Sequence, residues 1–265
     1  MDLDPTQRAS QEQFARQSQH YGKGHILQKV EDVAAVLPEL SLPHHATVLD
    51  VATGGGHTGM FFARLGHQVT LSDLTPQMLE NAARGAAEEG LKVETRLHPA
   101  ESMPYADGTF DLVTCRIAPH HFTSPIDFVR ETARVLKPGG RFLLIDGTVE
   151  DGQPEAEAWA HQVEKLRDPS HHRLLSPNTW RDFCVHAGLT VELSKVTSFL
   201  QPDLEWYFEV AATPDYNRRQ VRELVQTAPE SARQLFQIST EGGKITWWWQ
   251  RLTLIAHKPR HFFGS

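Results

Sequence analysis

The chain is short of several things, and each shortage removes a class of function. It has two cysteines in 265 residues, Cys115 and Cys184, both inside apolar patterns. That is no disulfide framework, and buried thiols of a reducing compartment are expected. No apolar run approaches the roughly 20 residues needed to cross a bilayer, so no membrane span is expected. The opening Met1-Asp2-Leu3-Asp4-Pro5 is acidic and polar rather than a secretory leader, which points to a cytoplasmic protein. Basic clusters are missing too: Lys and Arg total 26 against 33 Asp and Glu, for a net charge of −7. Nucleic acid demands a cationic footprint and is therefore not an expected partner. Internal repeats and low-complexity segments are absent. The length suits one domain with a sizeable embellishment.

What is present is alternation. Residues 11–40 read as helical, with Val30, Val33, Val36, Leu37 and Leu40 on one stripe, forming an N-terminal cover over residues 1–40. Strand signals then take turns with helix signals: Thr47–Val51, helix Gly56–Leu65, Gln68–Ser72, then a helix opened by Thr75-Pro76 and stopped by Gly90. Lys92–Arg96 and Asp111–Cys115 are strands. Ser124-Pro125 opens a helix that Lys137-Pro138-Gly139-Gly140 ends before the strand Arg141–Asp146. Strands regularly spaced by helices imply βαβ units on a parallel sheet, here a core over residues 41–150. Beyond 150 the rhythm changes. Helices are expected at 154–168, 177–187 and 214–226, and strands at Thr190–Thr197 and Trp247–Ala256, with a helical cap inserted at about 200–245. The fold class is α/β: a Rossmann-like, doubly wound, mostly parallel sheet with an antiparallel edge strand.

The richest segment is Val48-Leu49-Asp50-Val51-Ala52-Thr53-Gly54-Gly55-Gly56-His57. A β-branched run that ends in a carboxylate and breaks into glycines is a buried strand turning tightly into a helix. Glycine lets backbone approach a ligand, and Asp73, at the end of the next strand, is placed to accept hydrogen bonds from a ribose diol. An adenosine-containing cofactor follows. Gly54-Gly55-Gly56-His57-Thr58-Gly59 also matches G-x-G-x-x-G, so an NAD-dependent oxidoreductase is one alternative. A non-catalytic protein that kept the cofactor fold is another.

The order of motifs around this loop decides the reading. Asp50, Ala52, Gly54 and Gly56 stand where the first motif of class I S-adenosylmethionine-dependent methyltransferases has its acidic and small residues, with alanine for the first glycine. Ala100-Glu101-Ser102-Met103-Pro104-Tyr105 resembles the family's D-A-E-x-L-P-F loop, although Pro99 replaces its aspartate. Asp107-Gly108-Thr109-Phe110-Asp111-Leu112-Val113 and Arg134-Val135-Leu136-Lys137-Pro138-Gly139-Gly140 resemble its D-x-S-F-D-x-V and R-x-L-K-P-G-G segments. From Phe14 to Asp146 the chain resembles the branch that contains the ubiquinone and menaquinone biosynthesis methyltransferases. The resemblance implies S-adenosylmethionine as cofactor. It implies a binding set of Tyr21, Asp50, Ala52, Gly54, Gly56, Asp73, Leu74, Met78, Ala100, Glu101 and Arg116. Core packing is the rival role for Met78, and Asp50 in such a site most often has a positioning role, holding the loop and the cofactor's amino group.

The crevice of such a sheet lies beyond the strand ends where strand order reverses. By the family's topology, this puts Arg116-Ile117-Ala118-Pro119-His120-His121-Phe122 at the chemistry. The segment is neither the N-P-P-Y of amine and amide methylation nor the Pro-Cys of cytosine C5 enzymes, so a small-molecule acceptor is expected. Methyl transfer from a sulfonium needs alignment and, for some acceptors, a base. Histidine titrates near neutrality, so His120 and His121 are the candidates, His121 the favoured one; stacking or turn-capping is the alternative. No metal role is assigned: His44-His45 and His171-His172 lack partners at ligand spacing and read as surface residues. Trp206 and Tyr207, beside Phe208, are candidates for an aromatic lid over an apolar or quinone-like acceptor, against plain burial or pairing of subunits. Trp247-Trp248-Trp249 in a strand turns alternate rings in and out, for core packing or a homodimer.

Overall fold

A computed structural model describes residues 3–18, 28–201 and 203–260. In chain order the N-terminal cover is α1 (Pro5–Gln17), α2 (Glu31–Ala34) and α3 (Leu37–Leu40). The core follows as β1 (Thr47–Val51), α4 (His57–Arg64), β2 (Gln68–Asp73), α5 (Pro76–Glu88), β3 (Val93–Leu97), β4 (Phe110–Arg116), α6 (Pro125–Val135) and β5 (Leu136–Thr148). The last part comprises α7 (Pro154–Arg167), α8 (Pro177–His186), β6 (Thr190–Gln201), α9 (Leu204–Val210), α10 (Asp215–Gln226), α11 (Glu230–Leu235) and β7 (Trp247–His257). Among the described residues no helix is long and apolar enough to cross a membrane.

The seven strands form one sheet in the order β3-β2-β1-β4-β5-β7-β6. β1 pairs in parallel with both β2 and β4, and β5 in parallel with β4; β7 runs antiparallel to β5 and to β6. Strand order therefore reverses between β1 and β4, and a crevice opens beyond their carboxyl ends. Glycine sets how closely α4 lies on the sheet. A Cβ on Gly59 would meet Leu71 Cδ2 at 2.1 Å and Asp50 Cβ at 3.3 Å.

Several boundaries depart from the pattern in the sequence, among them that of β6, which runs on to Gln201 instead of ending at Thr197. The single helix expected over 11–40 is not one element. α1 starts at Pro5, because Asp4 and Gln7 close a capping box: Gln7 N donates to Asp4 Oδ1 at 2.8 Å and Asp4 N to Gln7 Oε1 at 3.2 Å. The stripe at 30–40 is two short turns, α2 and α3, the second with Pro38 in its first turn and the left-handed Ser41 (φ 45°) as its end. β5 begins at Leu136 rather than Arg141, since Leu136 already pairs with Phe110 across a bulge.

Two cores result. One lies on both faces of the sheet, with Leu49, Val113, Phe128 and Leu144 on one side and Val48, Phe62, Leu71 and Ile145 on the other. The second gathers Trp159, Tyr207, Phe208, Phe236, Trp247 and Trp249 where α7 and the segment between β6 and β7 pack on β7. Trp247 and Trp249 point into it, while Trp248 between them is 37% exposed, as strand alternation requires.

Candidate active site

The first cavity sits at the switch point. Its floor is the turn after β1, where Ala52 (φ 52°) and Gly54 (φ 53°) hold left-handed conformations that bring backbone into the crevice. Asp73 staples this turn to the next helix: Gly54 N donates to its Oδ2 at 2.9 Å and Thr75 N to its Oδ1 at 2.8 Å. Burial pushes the Asp73 carboxyl up to about 6, against those N–H donors, which favour the charged form. Leu74, Met78, Ala100, Glu101 and Arg116 line the same cleft.

Two residues of the expected binding set stand behind the cleft. Asp50 is buried behind the turn and lines no cavity; its carboxylate accepts from Thr114 Oγ1 (2.7 Å), Gly59 N (3.0 Å) and Thr53 Oγ1. Desolvation raises its pKa. Its donors are protein groups, and through them it holds the turn in place. Gly56 (φ 81°) also lies off the cleft, where a Cβ would come 2.9 Å from Ala82 Cβ; it is there to let α4 and α5 approach. Tyr21 lies outside the described residues.

The N-terminal cover was expected from the sequence, but of the α1 side chains that enter the cleft only Phe14 was singled out. From α1, Gln7, Ser10, Gln11 and Phe14 face the cleft. Gln11 Nε2 donates to Leu74 O at 2.7 Å, and Gln7 Nε2 to Glu101 Oε2 at 3.1 Å; Glu101 Oε1 in turn accepts from Thr123 N at 3.0 Å. Glu101 thus ties the cover to the loop after β4. Ser10 Oγ is buried in the cleft wall with no partner among the described residues, an atom that calls for a polar ligand. Turn backbone, a carboxylate at the end of β2, an apolar wall with Met78 and this orphan hydroxyl fit an adenosine group.

A second cavity of about 460 Å³ adjoins the first, and Arg116, Ile117 and His121 line both. His120 lies in the new one. A 3-10 turn over Pro119–His121 follows the left-handed Ile117 (φ 52°) and aims the two histidines into the junction. His120 Nδ1 donates to Asp146 Oδ1 at 2.6 Å, and Asp146, at the end of β5, is 1% exposed. Burial alone would lower His120, but the charge and hydrogen bond of Asp146 reverse this and raise it. His121 lies edge-on to Phe14 (4.8 Å) and shares 3.1 Å with Ser170 Oγ. Burial first, and the neighbouring His120 second, bring it down to about 4. The sequence favoured His121 as base; the electrostatics favour His120, and its partner Asp146 went unnoticed because it lies 26 positions away.

His171, read as a surface residue, is 1% exposed, with neither ring nitrogen partnered. Its ring stands 5.5 Å from His120, and desolvation keeps it neutral. Among the described residues no group of three or more His, Cys, Asp or Glu is placed to hold a metal. Trp206 lines the second cavity, but Tyr207 lines neither: wholly buried, it donates from its hydroxyl to Glu164 Oε1 at 2.7 Å and carries the Arg167 guanidinium 4.3 Å above its ring.

Comparison with known proteins agrees with this geometry. Residues 49–144 match the family described as "Methyltransferase domain". The "Uncharacterized methyltransferase YcgJ" of Bacillus subtilis is 32% identical over 228 residues, covering 85% of this chain and 89% of that one. Its crystal structure superposes with a TM-score of 0.81, 28% identity and coverage of 88% and 100%. A "Ubiquinone biosynthesis O-methyltransferase" of Xanthomonas axonopodis pv. citri is 40% identical over 103 residues, 38% of this chain and 43% of its own. Geranyl diphosphate C-methyltransferase from Streptomyces coelicolor A3(2), solved with S-adenosyl-L-homocysteine, shares the fold at a TM-score of 0.68 and 16% identity, covering 97% and 99%. Membership of a methyltransferase family, not of the dehydrogenases, decides the cofactor between S-adenosylmethionine and NAD. The chain belongs to the class I S-adenosylmethionine-dependent methyltransferases.

Proposed function

We propose that the protein transfers a methyl group from S-adenosylmethionine, bound in the first cavity, to a small molecule in the second, with His120 as the general base. The observation that carries this is the junction: Arg116, Ile117 and His121 belong to both cavities, so a donor in one and an acceptor in the other meet beside His120. When bound, the cofactor supplies an electrophilic methyl whose leaving group, a neutral thioether, needs no acid. The protein's task is then to align the acceptor, exclude water and take a proton.

Asp73 and the turn at Ala52–Gly54 would hold the ribose and amino acid parts, and Met78, Ala100 and the α1 side chains the adenine. Asp146 fixes the His120 tautomer with the proton on Nδ1, which leaves the Nε2 lone pair to receive the proton of an acceptor O–H or N–H. Asp146 also stabilises the imidazolium formed. His121, drawn down to about 4, stays neutral at physiological pH and adds no competing charge. Trp206 and Trp249 give the second cavity an aromatic wall suited to an apolar acceptor.

Calorimetric titration with S-adenosylmethionine, S-adenosylhomocysteine and NADH tests the donor half. Micromolar binding of the first two without NADH is expected, and binding of none would mark a non-catalytic protein. His120→Ala should then lower turnover and leave S-adenosylhomocysteine affinity within about twofold. Full turnover in that variant would remove the base.

A further inference from the structure

One cation in the second cavity lacks the partners that its burial calls for. Arg251, on β7, has a side chain only 22% exposed. Among the described residues its one ion pair is Nη1 to Asp32 Oδ2 at 3.4 Å, and its Nε has no hydrogen-bond partner. Asp32 is already taken, since Arg116 Nε reaches both of its oxygens at 3.0 and 3.1 Å. Two guanidiniums thus share one carboxylate, and the stretch 19–27 between α1 and α2 contains no Asp or Glu to add another. Burial pulls Arg251 below the ordinary guanidinium range, with Asp32 opposing. A desolvated, underpaired guanidinium is costly unless a ligand completes it.

The sheet register aims this cation. β7 sets Arg251 opposite Thr197 of β6 and Gly147 of β5, and Trp249 opposite Phe199. These residues share one sheet face. Gly147, beside it, lets Leu174 pack closely on the sheet, since a Cβ there would stand 2.9 Å from Leu174 Cδ2. Phe199 supports the guanidinium from one side, 4.3 Å from its ring centre, which keeps the planar N–H edge for a partner in the cavity. Gln201, on the same face, is 4% exposed and its side-chain oxygen is unpartnered. Arg251 and Gln201 line the second cavity and not the first, so neither serves the donor.

We propose that the acceptor is a planar monoacid whose carboxylate is held by Arg251, with Gln201 on its polar edge and its rings against Trp249 and Trp206. This rests on reading the second cavity as the acceptor chamber. A guanidinium fork matches a carboxylate in two parallel hydrogen bonds. One underpaired cation matches one negative charge. Arg167 is committed to Glu164 and Arg116 to Asp32, Asp168 accepts from Ser170 N and Oγ, and Lys29 and Glu31, of opposite charge, lie at the exposed rim. A diphosphate would face too few cations.

The full-length protein, with and without S-adenosylhomocysteine, is titrated with 6-hydroxy-2-naphthoate and with its uncharged counterpart of the same shape, 6-hydroxy-2-naphthamide. The acid should bind at least tenfold more tightly, a difference of about 1.4 kcal/mol. Arg251→Met should erase that preference and Arg251→Lys should keep part of it. Equal affinity for acid and amide, binding of neither at millimolar concentration, or a preference that survives Arg251→Met would each overturn the proposal. The comparison on the unaltered protein needs no variant to fold. S-adenosylhomocysteine binding in the same cell reads the donor site separately: its failure would overturn the methyl-transfer reading whatever the acid does.

Discussion

Replacing Asp146 by Asn keeps the shape and an acceptor oxygen beside His120 but removes the charge. The structure sets the size of the effect. The pair is joined at 2.6 Å with Asp146 1% exposed, so solvent screens it little. A charge-assisted hydrogen bond of this kind is worth roughly 1.5–3 kcal/mol, and each 1.36 kcal/mol moves a pKa by about one unit. His120 should therefore fall by about 1–2 units, because burial is then opposed only by the remaining charges of Glu164 and Asp168. The assay is an NMR titration of protein labelled with carbon-13 at histidine, with the His120 signal assigned through His120→Gln. It needs no acceptor. Coincident midpoints in the two proteins, or a normal His120 midpoint below 6.5, would refute the reasoning. Turnover should follow: normal activity rises with pH through the raised value as the base becomes free, and in Asp146→Asn that limb moves to lower pH while the plateau drops.

Asp73→Ala removes a carboxylate that holds both the glycine turn and the expected ribose; S-adenosylhomocysteine should bind roughly 5- to 150-fold more weakly by calorimetry, the equivalent of about 1–3 kcal/mol. Gly59→Ala drives a methyl to 2.1 Å from Leu71 Cδ2, and urea unfolding should show a loss of about 1–3 kcal/mol; an unchanged midpoint would mean that α4 can lift off the sheet freely. Trp206→Ala should raise the acceptor KM at constant stability, whereas Tyr207→Phe should cost about 1–3 kcal/mol of stability, because Glu164 loses a buried donor. Stability should fall as pH drops from 6.5 towards 4: His121 and His171 stay neutral in the folded chain while their unfolded counterparts bind protons. His120 acts the other way, adding stability below 6.5 that disappears as pH rises through its raised value. Replacing His171 by Asn should flatten the acid limb.

The two halves of the site differ in how plainly the chain spells them out. The donor half is written almost contiguously, because a βαβ unit puts its ligand at the strand ends, and strand ends are marked by glycine, proline and acid. Thus the glycine turn and Asp73 could be named from the strand ends, and Ala52 and Ala100-Glu101 from the resemblance to the family. Even there the role of Gly56 is hidden, since the approach of Ala82 is a fact of packing. α1 was placed too late because its capping box sits in a polar stretch with little apolar pattern to register it.

The acceptor half has no such grammar. Asp146 ends β5, Glu164 and Arg167 ride α7, Gln201 ends β6 and Arg251 stands on β7; only the antiparallel return of β7 between β5 and β6 brings them together. Trp206 and Tyr207 show how far neighbours can diverge. On a helix, successive side chains point about 100° apart. One short helix can therefore face a cavity with Trp206 and a core with Tyr207, and its sequence reads the same either way. The division has a physical consequence. Tyr207 braces Glu164, Glu164 holds Arg167, and both of the latter line the chamber, so the charges that greet an acceptor are positioned by the core of the insert. Changes in that core should reach acceptor affinity through Glu164 and Arg167 while leaving the donor cleft, built on the other side of β4, unaffected.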